Sequence, residues 1–431
     1  SACGFKKFGR SYLINYTITN ITNIPVRIDW GFGTPVEFIN STFNIYSVTW
    51  GYGGTHNKSM ISKYHNNTLN YYIAVKNTTN DPQENHLLKS QITNDFGSGE
   101  TVTVVSGNFT IDEDAQLYKL NINDSAVVNV TAGVTVTFDD KPGAGIGPPS
   151  TGTDGLLNLN GAPGNYATLT SAGSPGPVNE WQVFTRGGSD TITTTSNYAI
   201  IEGYAAYNCW GSPCYFNNTI FRDFSGRGIY IHDFSGTNPF IENSVINITQ
   251  SASKDGLHIS NADYEAYNLT IVNPYSGEDI QTGCCGSPTI QLINSSFNLD
   301  NLYFDRYRSW LVSKYHNNTN KYYIYAQSNI SKSEIGSSYD FASSDDVEIL
   351  AGTLLLDEDS SVDSLVIDTG AGLNITSGSA LNMGGTLVLG GNFSIIYGKL
   401  NSATLNDTTF TINASNVSLH PMLSNPSDGN N

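Results

Sequence analysis

Apolar and polar residues alternate along this chain in short runs whose period is that of β-strands. Thr101-Val-Thr-Val-Val105, Phe109-Thr-Ile111, Leu117-Tyr-Lys-Leu-Asn-Ile122, Val127-Val-Asn-Val130 and Val134-Thr-Val-Thr-Phe138 follow one another with Gly, Asn or Asp between them. Val347-Glu-Ile-Leu350, Thr353-Leu-Leu-Leu356, Ser364-Leu-Val-Ile367 and Thr386-Leu-Val-Leu389 repeat the scheme. Alternate residues of a strand face opposite sides, so each run can bury one row and solvate the other. No segment carries the apolar stripe of an amphipathic helix over three turns. The pattern predicts an all-β chain of strands spaced by about 8–12 residues, which fits a sandwich, a barrel or a solenoid.

Superimposed on the alternation is an internal repeat. Ile39-Asn-Ser-Thr-Phe-Asn44 returns as Ile293-Asn-Ser-Ser-Phe-Asn298, and Ser62-Lys-Tyr-His-Asn-Asn-Thr68 as Ser313-Lys-Tyr-His-Asn-Asn-Thr319. Asp112-Glu-Asp114 matches Asp357-Glu-Asp359, and Val128-Asn-Val-Thr-Ala-Gly133 matches Leu373-Asn-Ile-Thr-Ser-Gly378. The offset shrinks from 254 (Ile39 to Ile293) to 245 (Asp112 to Asp357), so small deletions separate two copies of one module. The predicted organisation is an N-terminal strand segment over 1–35, a first module with a long insert over 36–288, and a shorter second copy over 289–431. Tyr12-to-Thr19 and Pro25-to-Trp30 are strand-like runs outside the repeat. They either cap the chain's own sheets or add to a neighbouring subunit.

The insert favours a solenoid. Ala199-Ile-Ile-Glu-Gly, Asn218-Thr-Ile-Phe-Arg-Asp223, Gly228-Ile-Tyr-Ile-His232, Pro239-Phe-Ile-Glu-Asn243, Ser244-Val-Ile-Asn-Ile248, Gly256-Leu-His-Ile-Ser260 and Asn268-Leu-Thr-Ile-Val272 recur at rung-like spacing. Asn and Asp fall at the corners, where left-handed backbone suits them. Over about residues 101–300 and 346–420 this resembles the right-handed parallel β-helix of pectate-lyase-like surface proteins. The resemblance implies an all-β fold, a β-solenoid with a duplicated module and additional β-sandwich-like segments. Leu157-Asn-Leu-Asn-Gly161 and Ala167-Thr-Leu-Thr-Ser171 look like one rung pair, and the Gly- and Pro-rich stretch 143–176 reads as loops inserted on that scaffold.

Charge and composition narrow the partners. The net charge of −18 speaks against nucleic acid and against an anionic membrane surface. No stretch approaches the roughly 18 apolar residues of a spanning helix. The opening lacks a charged and apolar leader, so Ser1 is expected to follow a removed signal.

Asn-x-Ser/Thr sequons are spread over the whole chain: Asn15, Asn20, Asn40, Asn57, Asn66, Asn77, Asn108, Asn123, Asn129, Asn217, Asn247, Asn268, Asn294, Asn317, Asn329, Asn374, Asn392, Asn406, Asn413 and Asn416. That density predicts N-linked glycans and an extracellular, cell-surface setting. Low charge, at 13% of residues, with abundant Tyr, Asn, Ser and Thr, looks like surface proteins of thermophilic archaea in composition.

The cysteines agree with an oxidising compartment. Cys209 and Cys214 flank a turn and are close enough in sequence for a local disulfide. Cys284 and Cys285 would reach other partners, and Cys3 is the candidate left over for a free thiol or an intermolecular bond. No CxxC pair or spaced His accompanies them as a zinc site would require.

Two clusters offer chemistry. Asp233, and one rung later Asp255 with His258, would face each other as acid and base if the chain cleaved polysaccharide, the carboxyls being some 5–10 Å apart. The paired Asp-Asp and Gly-His-Gly runs of polygalacturonase-type sites are missing, so the stronger reading is corner residues and no catalytic site. Asp112 and Asp114, with Asp357 and Asp359, cluster hard oxygens suited to calcium but lack EF-hand spacing. The stronger reading of both triplets is a solvated acidic turn, and no cofactor is expected. His65 and His316 are expected to be exposed beside glycans at Asn66 and Asn317.

The resulting expectation is an extracellular structural glycoprotein that homopolymerises into a surface filament or layer through β-strand contacts. Alternatives are a β-helix polysaccharide lyase or hydrolase, and a glycan-binding adhesin or viral spike.

Overall fold

The computed structural model describes residues 4–5, 12–14, 27–28, 35–50, 59–76, 86–147, 154–173, 181–183, 191–211, 213–232, 240–249, 255–283, 288–304, 309–395, 399–402, 410–412 and 417–418. The described residues are strands and turns, and every helical element among them is a three-residue 3-10 turn. Contacts divide the chain into two compact units. One holds Ser1–Thr237, Val245–Leu257 and Pro274–Gly277; the other holds Asn238–Ser244, His258–Asn273 and Glu278–Asn431.

In the first unit the chain visits three parallel sheets in rotation and returns to each with every third strand. One sheet runs Ala115–Leu117, Thr135–Phe138, Ala167–Ser171, Ala199–Glu202, Ile220–Arg222 and Val245–Asn247. Another runs Lys119–Ile122, Gly145–Gly147, Trp181–Val183, Tyr204–Trp210 and Arg227–His232. The third runs Ala126–Thr131, Asp154–Asn160, Thr191–Asn197 and Cys214–Asn217.

The register explains why alternation was visible in the sequence. Leu169, Ile201, Phe221 and Ile246 align across successive strands, and all are buried. Each fully buried side chain of this kind contributes about 1.5–3 kcal/mol of transfer free energy. The polar residues between them face outward. Asp154–Asn160 and Ala167–Ser171 are both strands, but they lie in different sheets, the first pairing with Ala126–Thr131 and Thr191–Asn197 and the second with Thr135–Phe138 and Ala199–Glu202. The stretch expected to be inserted loops is partly sheet, because Gly145–Gly147 pairs with Lys119–Asn121 and with Gln182–Val183.

Both units contain the same joint. In the first, Tyr12–Ile14, Val36–Ile39 and Ser59–Lys63 pair in parallel; Ser59–Lys63 then pairs antiparallel with Asn70–Val75, which pairs in parallel with Thr101–Ile111. In the second, Tyr264–Tyr267, Thr289–Ile293 and Trp310–Lys314 pair in parallel; Trp310–Lys314 pairs antiparallel with Lys321–Ser331, which pairs in parallel with Asp346–Leu356. The repeat seen in the sequence is therefore a repeat of topology. The strand-like run at Tyr12 has a partner inside the chain, since Tyr12–Ile14 lies against Glu37–Ile39. The same holds for Arg27–Ile28, which joins Gly4–Phe5 to Thr49–Trp50.

Two boundaries differ from expectation for one reason. Residues 101–105 and 109–111 form a single strand, Thr101–Ile111, as do 347–350 and 353–356 in Asp346–Leu356. Gly107 (φ +73°) and Gly352 (φ +77°) bend each strand around a corner, so its two halves pair with different sheets. A glycine between two apolar runs signals a turn in sequence, but here a left-handed glycine bends the strand without ending it. Conversely 117–122 splits at a corner into Ala115–Leu117 and Lys119–Ile122.

A Cβ at Gly107 would stand 2.5 Å from the Val75 carbonyl oxygen, and one at Gly352 2.5 Å from that of Ser328. Gly370 is equally left-handed (φ +90°) but faces open space. Gly107→Ala and Gly352→Ala should each lower unfolding free energy by about 2–3 kcal/mol, against about 1 kcal/mol for Gly370→Ala. Urea denaturation of the three variants measures the difference; equal losses would show that the corners tolerate a side chain.

Candidate functional site

The hairpin tip Ser62–Thr68 and its twin Ser313–Thr319 are built around a histidine. Three of four consecutive residues are left-handed in each: Tyr64, Asn66 and Asn67 (φ 54°, 55° and 57°), and Tyr315, Asn317 and Asn318 (φ 57°, 54° and 56°). Such backbone is disfavoured by about 1–2 kcal/mol per non-glycine residue, so neighbours must hold it. The ring of His65 lies edge-on between Phe43 and Tyr72, centroids 4.9 and 5.1 Å away, and His316 does the same between Phe297 and Tyr323, at 4.6 and 5.2 Å. Ser62 Oγ lies 2.9 Å from His65 Nδ1, and Ser313 Oγ 3.2 Å from His316 Nδ1. Both rings are only 3% exposed. This corrects the expectation that they sit in solvent: the tight turn folds the ring inward and leaves Asn66 and Asn317 exposed at the tip.

Below each tip is a charged knot. Lys89, 4% exposed, places Nζ 2.5 Å from Asp95 and 3.0 Å from Glu113, with the Phe96 ring 5.5 Å away. Lys332 repeats it with Asp340 at 2.9 Å, Glu358 at 2.6 Å and Phe341 at 5.3 Å. Burial alone would lower these lysines, but their hydrogen bonds to the carboxylates outweigh it and hold both above the ordinary value. Removing either lysine would leave carboxylates facing a pocket built for a cation.

The two acidic triplets enter these knots rather than converging. Asp112 accepts from the Ser90 N–H (3.0 Å) and Oγ (2.5 Å), Glu113 pairs with Lys89, and Asp114 accepts from the Thr135 N–H at 2.8 Å. Asp357, Glu358 and Asp359 engage Ser333, Lys332 and the Ala380 N–H in the same order. Burial pushes the Asp357 carboxyl up, yet the Ser333 hydrogen bonds prevail and hold it below the usual range. The carboxylates weighed for calcium thus point to three different partners. Among the described residues no group of three His, Cys, Asp or Glu side chains is placed to hold a metal ion. Sequence reading missed Lys89 and Lys332, although a Lys-Ser pair precedes each acidic triplet by 23 and 25 residues (Lys89 to Asp112, Lys332 to Asp357).

Of the candidate catalytic residues, Asp255 and His258 are described. Asp233 lies outside the described residues. Asp255 is fully buried, its Oδ2 3.5 Å from Arg227 Nε, and Arg227 stacks over Tyr230 at 4.6 Å. His258, on the same strand Asp255–Ser260, is three positions on and so faces the other side. It is 4% exposed, with Nδ1 3.2 Å from Gln281 Oε1, and the Gly283 backbone packs against its ring.

Cys209 and Cys214 form the expected disulfide, with Cα atoms 6.1 Å apart. Cys3, Cys284 and Cys285 lie outside the described residues.

Of the sequon asparagines, Asn66, Asn268, Asn317, Asn329 and Asn392 are exposed. Asn40, Asn108, Asn129, Asn217, Asn247, Asn294 and Asn374 are partly buried. Asn123 is buried, its Oδ1 unpaired. Asn15, Asn20, Asn57, Asn77, Asn406, Asn413 and Asn416 lie outside the described residues. No family model matches the chain, and neither a curated protein nor a solved structure matches it.

Burial pushes the His316 imidazole down to about 4 from an ordinary 6.5, over the opposing Phe297 backbone hydrogen bond, and lowers His65 as well. The unfolded chain therefore binds protons more readily here, and stability is lost as pH falls from about 6.5 to about 4, by at most about 3 kcal/mol at His316. His316→Gln should be weaker at pH 7 yet lose less between pH 7 and pH 4. Urea midpoints at both pH values check this, and parallel losses in wild type and variant would contradict it.

Proposed function

We propose that the protein is an extracellular structural glycoprotein, a subunit that assembles with copies of itself into a surface filament or layer. The observation that carries this reading is the duplicated joint. In both units the charged and aromatic side chains that could do chemistry are engaged with one another, holding a strand reversal. The sequon density and the net charge of −18 fit an exposed, solvated surface.

The return of the chain to each sheet with every third parallel strand supports a β-solenoid. Such a coil changes hand at each joint. In the second unit the strand order continues through Thr289–Ile293, Trp310–Lys314, Lys321–Ser331 and Asp346–Leu356, while the direction of travel reverses at the antiparallel pair. Continued advance with reversed travel inverts the sense of winding, so a right-handed stretch is followed by a left-handed one, or the reverse. Stacked strands end in edges whose amide groups seek partners, which is the physical route to polymerisation.

Electron microscopy of the purified chain should show filaments or sheets. Monodisperse particles at all concentrations would overturn assembly. Turnover of pectins or glucans that Asp255→Asn abolishes would instead make the chain a polysaccharide-cleaving enzyme.

A further inference from the structure

Resting on the glycoprotein reading, we propose that the hairpin tips are the principal glycan acceptors, Asn66 in the first unit and Asn317 in the second, and that each suppresses modification of the sequon one rung below.

Backbone bonding fixes the stacking. The Asn317 N–H donates to the Ser295 carbonyl (3.0 Å), the Asn294 N–H to that of Lys314 (2.9 Å), and the Asn268 N–H to that of Ile293 (2.9 Å). Three sequon asparagines thus occupy successive rungs along one corner, all left-handed (φ 52°, 52° and 54° for Asn268, Asn294 and Asn317). The first unit repeats the top pair, with Asn66 donating to Ser41 (3.1 Å) and Asn40 to Lys63 (3.0 Å). Neighbouring strands lie about 4.8 Å apart. A branched oligosaccharide is wider than that, so two cannot leave adjacent rungs without crowding.

Within each row the tip is the best acceptor. Asn317 and Asn66 are exposed, whereas Asn294 and Asn40 are partly buried. Ser296 Oγ donates to Asn317 Oδ1, which orients the amide and leaves its Nδ2 as the free end. At the bottom of the row Asn268 is exposed, but its Nδ2 donates to Asn243 Oδ1 at 2.7 Å. The buried histidine contributes by positioning: with the ring fixed between two aromatic rings, the next residue must project outward.

The ligand class is a sugar activated through an anomeric phosphate. In the transfer the Nδ2–C1 bond forms and the C1–O bond to phosphate breaks. The phosphate leaves with the bonding pair, and Nδ2 loses one proton to a base of the transferase.

The test is site-by-site glycopeptide mapping of the full chain produced in an N-glycosylating host. Asn66 and Asn317 should be occupied, Asn123 bare, and Asn294 modified in a minor fraction. Asn317→Asp keeps a residue that tolerates left-handed backbone and removes the acceptor; Thr319→Ala removes the sequon and keeps the asparagine. Both should raise Asn294 occupancy several-fold, with circular dichroism showing the fold retained. Occupied sequons elsewhere with bare Asn66 and Asn317, or unchanged Asn294 occupancy in both variants, would overturn the proposal while leaving the glycoprotein reading intact. A bare chain at every sequon would remove that reading as well.

Discussion

Every corner between stacked strands must turn the chain sharply without stranding a buried amide. Backbone N–H and C=O groups are strong partners that water cannot reach inside a sheet stack, so each must find the strand above or below. Ordinary residues resist the left-handed geometry that a sharp corner requires, whereas Gly and Asn accept it. Asn218, Asn243, Asn268 and Asn294 take that conformation at intervals of 25 or 26 residues, with φ between 50° and 52°. Their side chains bond along the row as well, as Asn218 Nδ2 does to Asn197 Oδ1 at 3.2 Å. The richness in asparagine that reads as sequon density is therefore in part corner chemistry, as at Asn268 and Asn294.

The strand reversals are a second solution to the same requirement. An antiparallel pair allows a stack to change direction while every strand keeps both neighbours. The tip must then be very short, and three left-handed residues make it so. Their strain is offset by burying a histidine between two rings and by tying Lys63 and Lys314 to the backbone carbonyls of Asp95 and Asp340. Neutral imidazole suits that dry slot and imidazolium does not, so packing and proton affinity are one fact seen twice.

Features that depend on local order were legible in the sequence. Alternation, corner asparagines, the repeat and the Cys209–Cys214 closure all follow from neighbours within a few residues or from direct self-comparison. Features that depend on what comes alongside were not. His65 reads as exposed because a His-Asn-Asn turn is polar; only Phe43 and Tyr72, from other elements, make its pocket. The acidic triplets read as solvated turns, with calcium as the weaker alternative, because carboxylates in a row look free to face water or share a cation. In a strand-to-corner segment, alternate residues face apart, and Lys89 and Ser90 are brought to two of them from more than twenty residues away. Tyr12–Ile14 has no copy in the repeat, yet pairing needs only backbone, which self-comparison cannot see.

Comparison of the two copies separates what the joint needs from what it tolerates. Both keep the lysine, its two carboxylates and an aromatic ring, although the intervening chain differs in length: Lys89 to Asp95 spans six residues and Lys332 to Asp340 eight. Both keep a carboxylate that caps the following turn, as Glu100 on the Gly97 N–H and Asp345 on the Ala342 N–H, each at 2.7 Å. There the side chain is one methylene shorter in the second copy, and only Glu100 also reaches a lysine, Lys63, at 3.7 Å. A partly exposed ion pair of that length contributes little, so its loss is tolerated. The hydrogen bonds recur in both copies, and the ion pair that differs between them is one that water can replace.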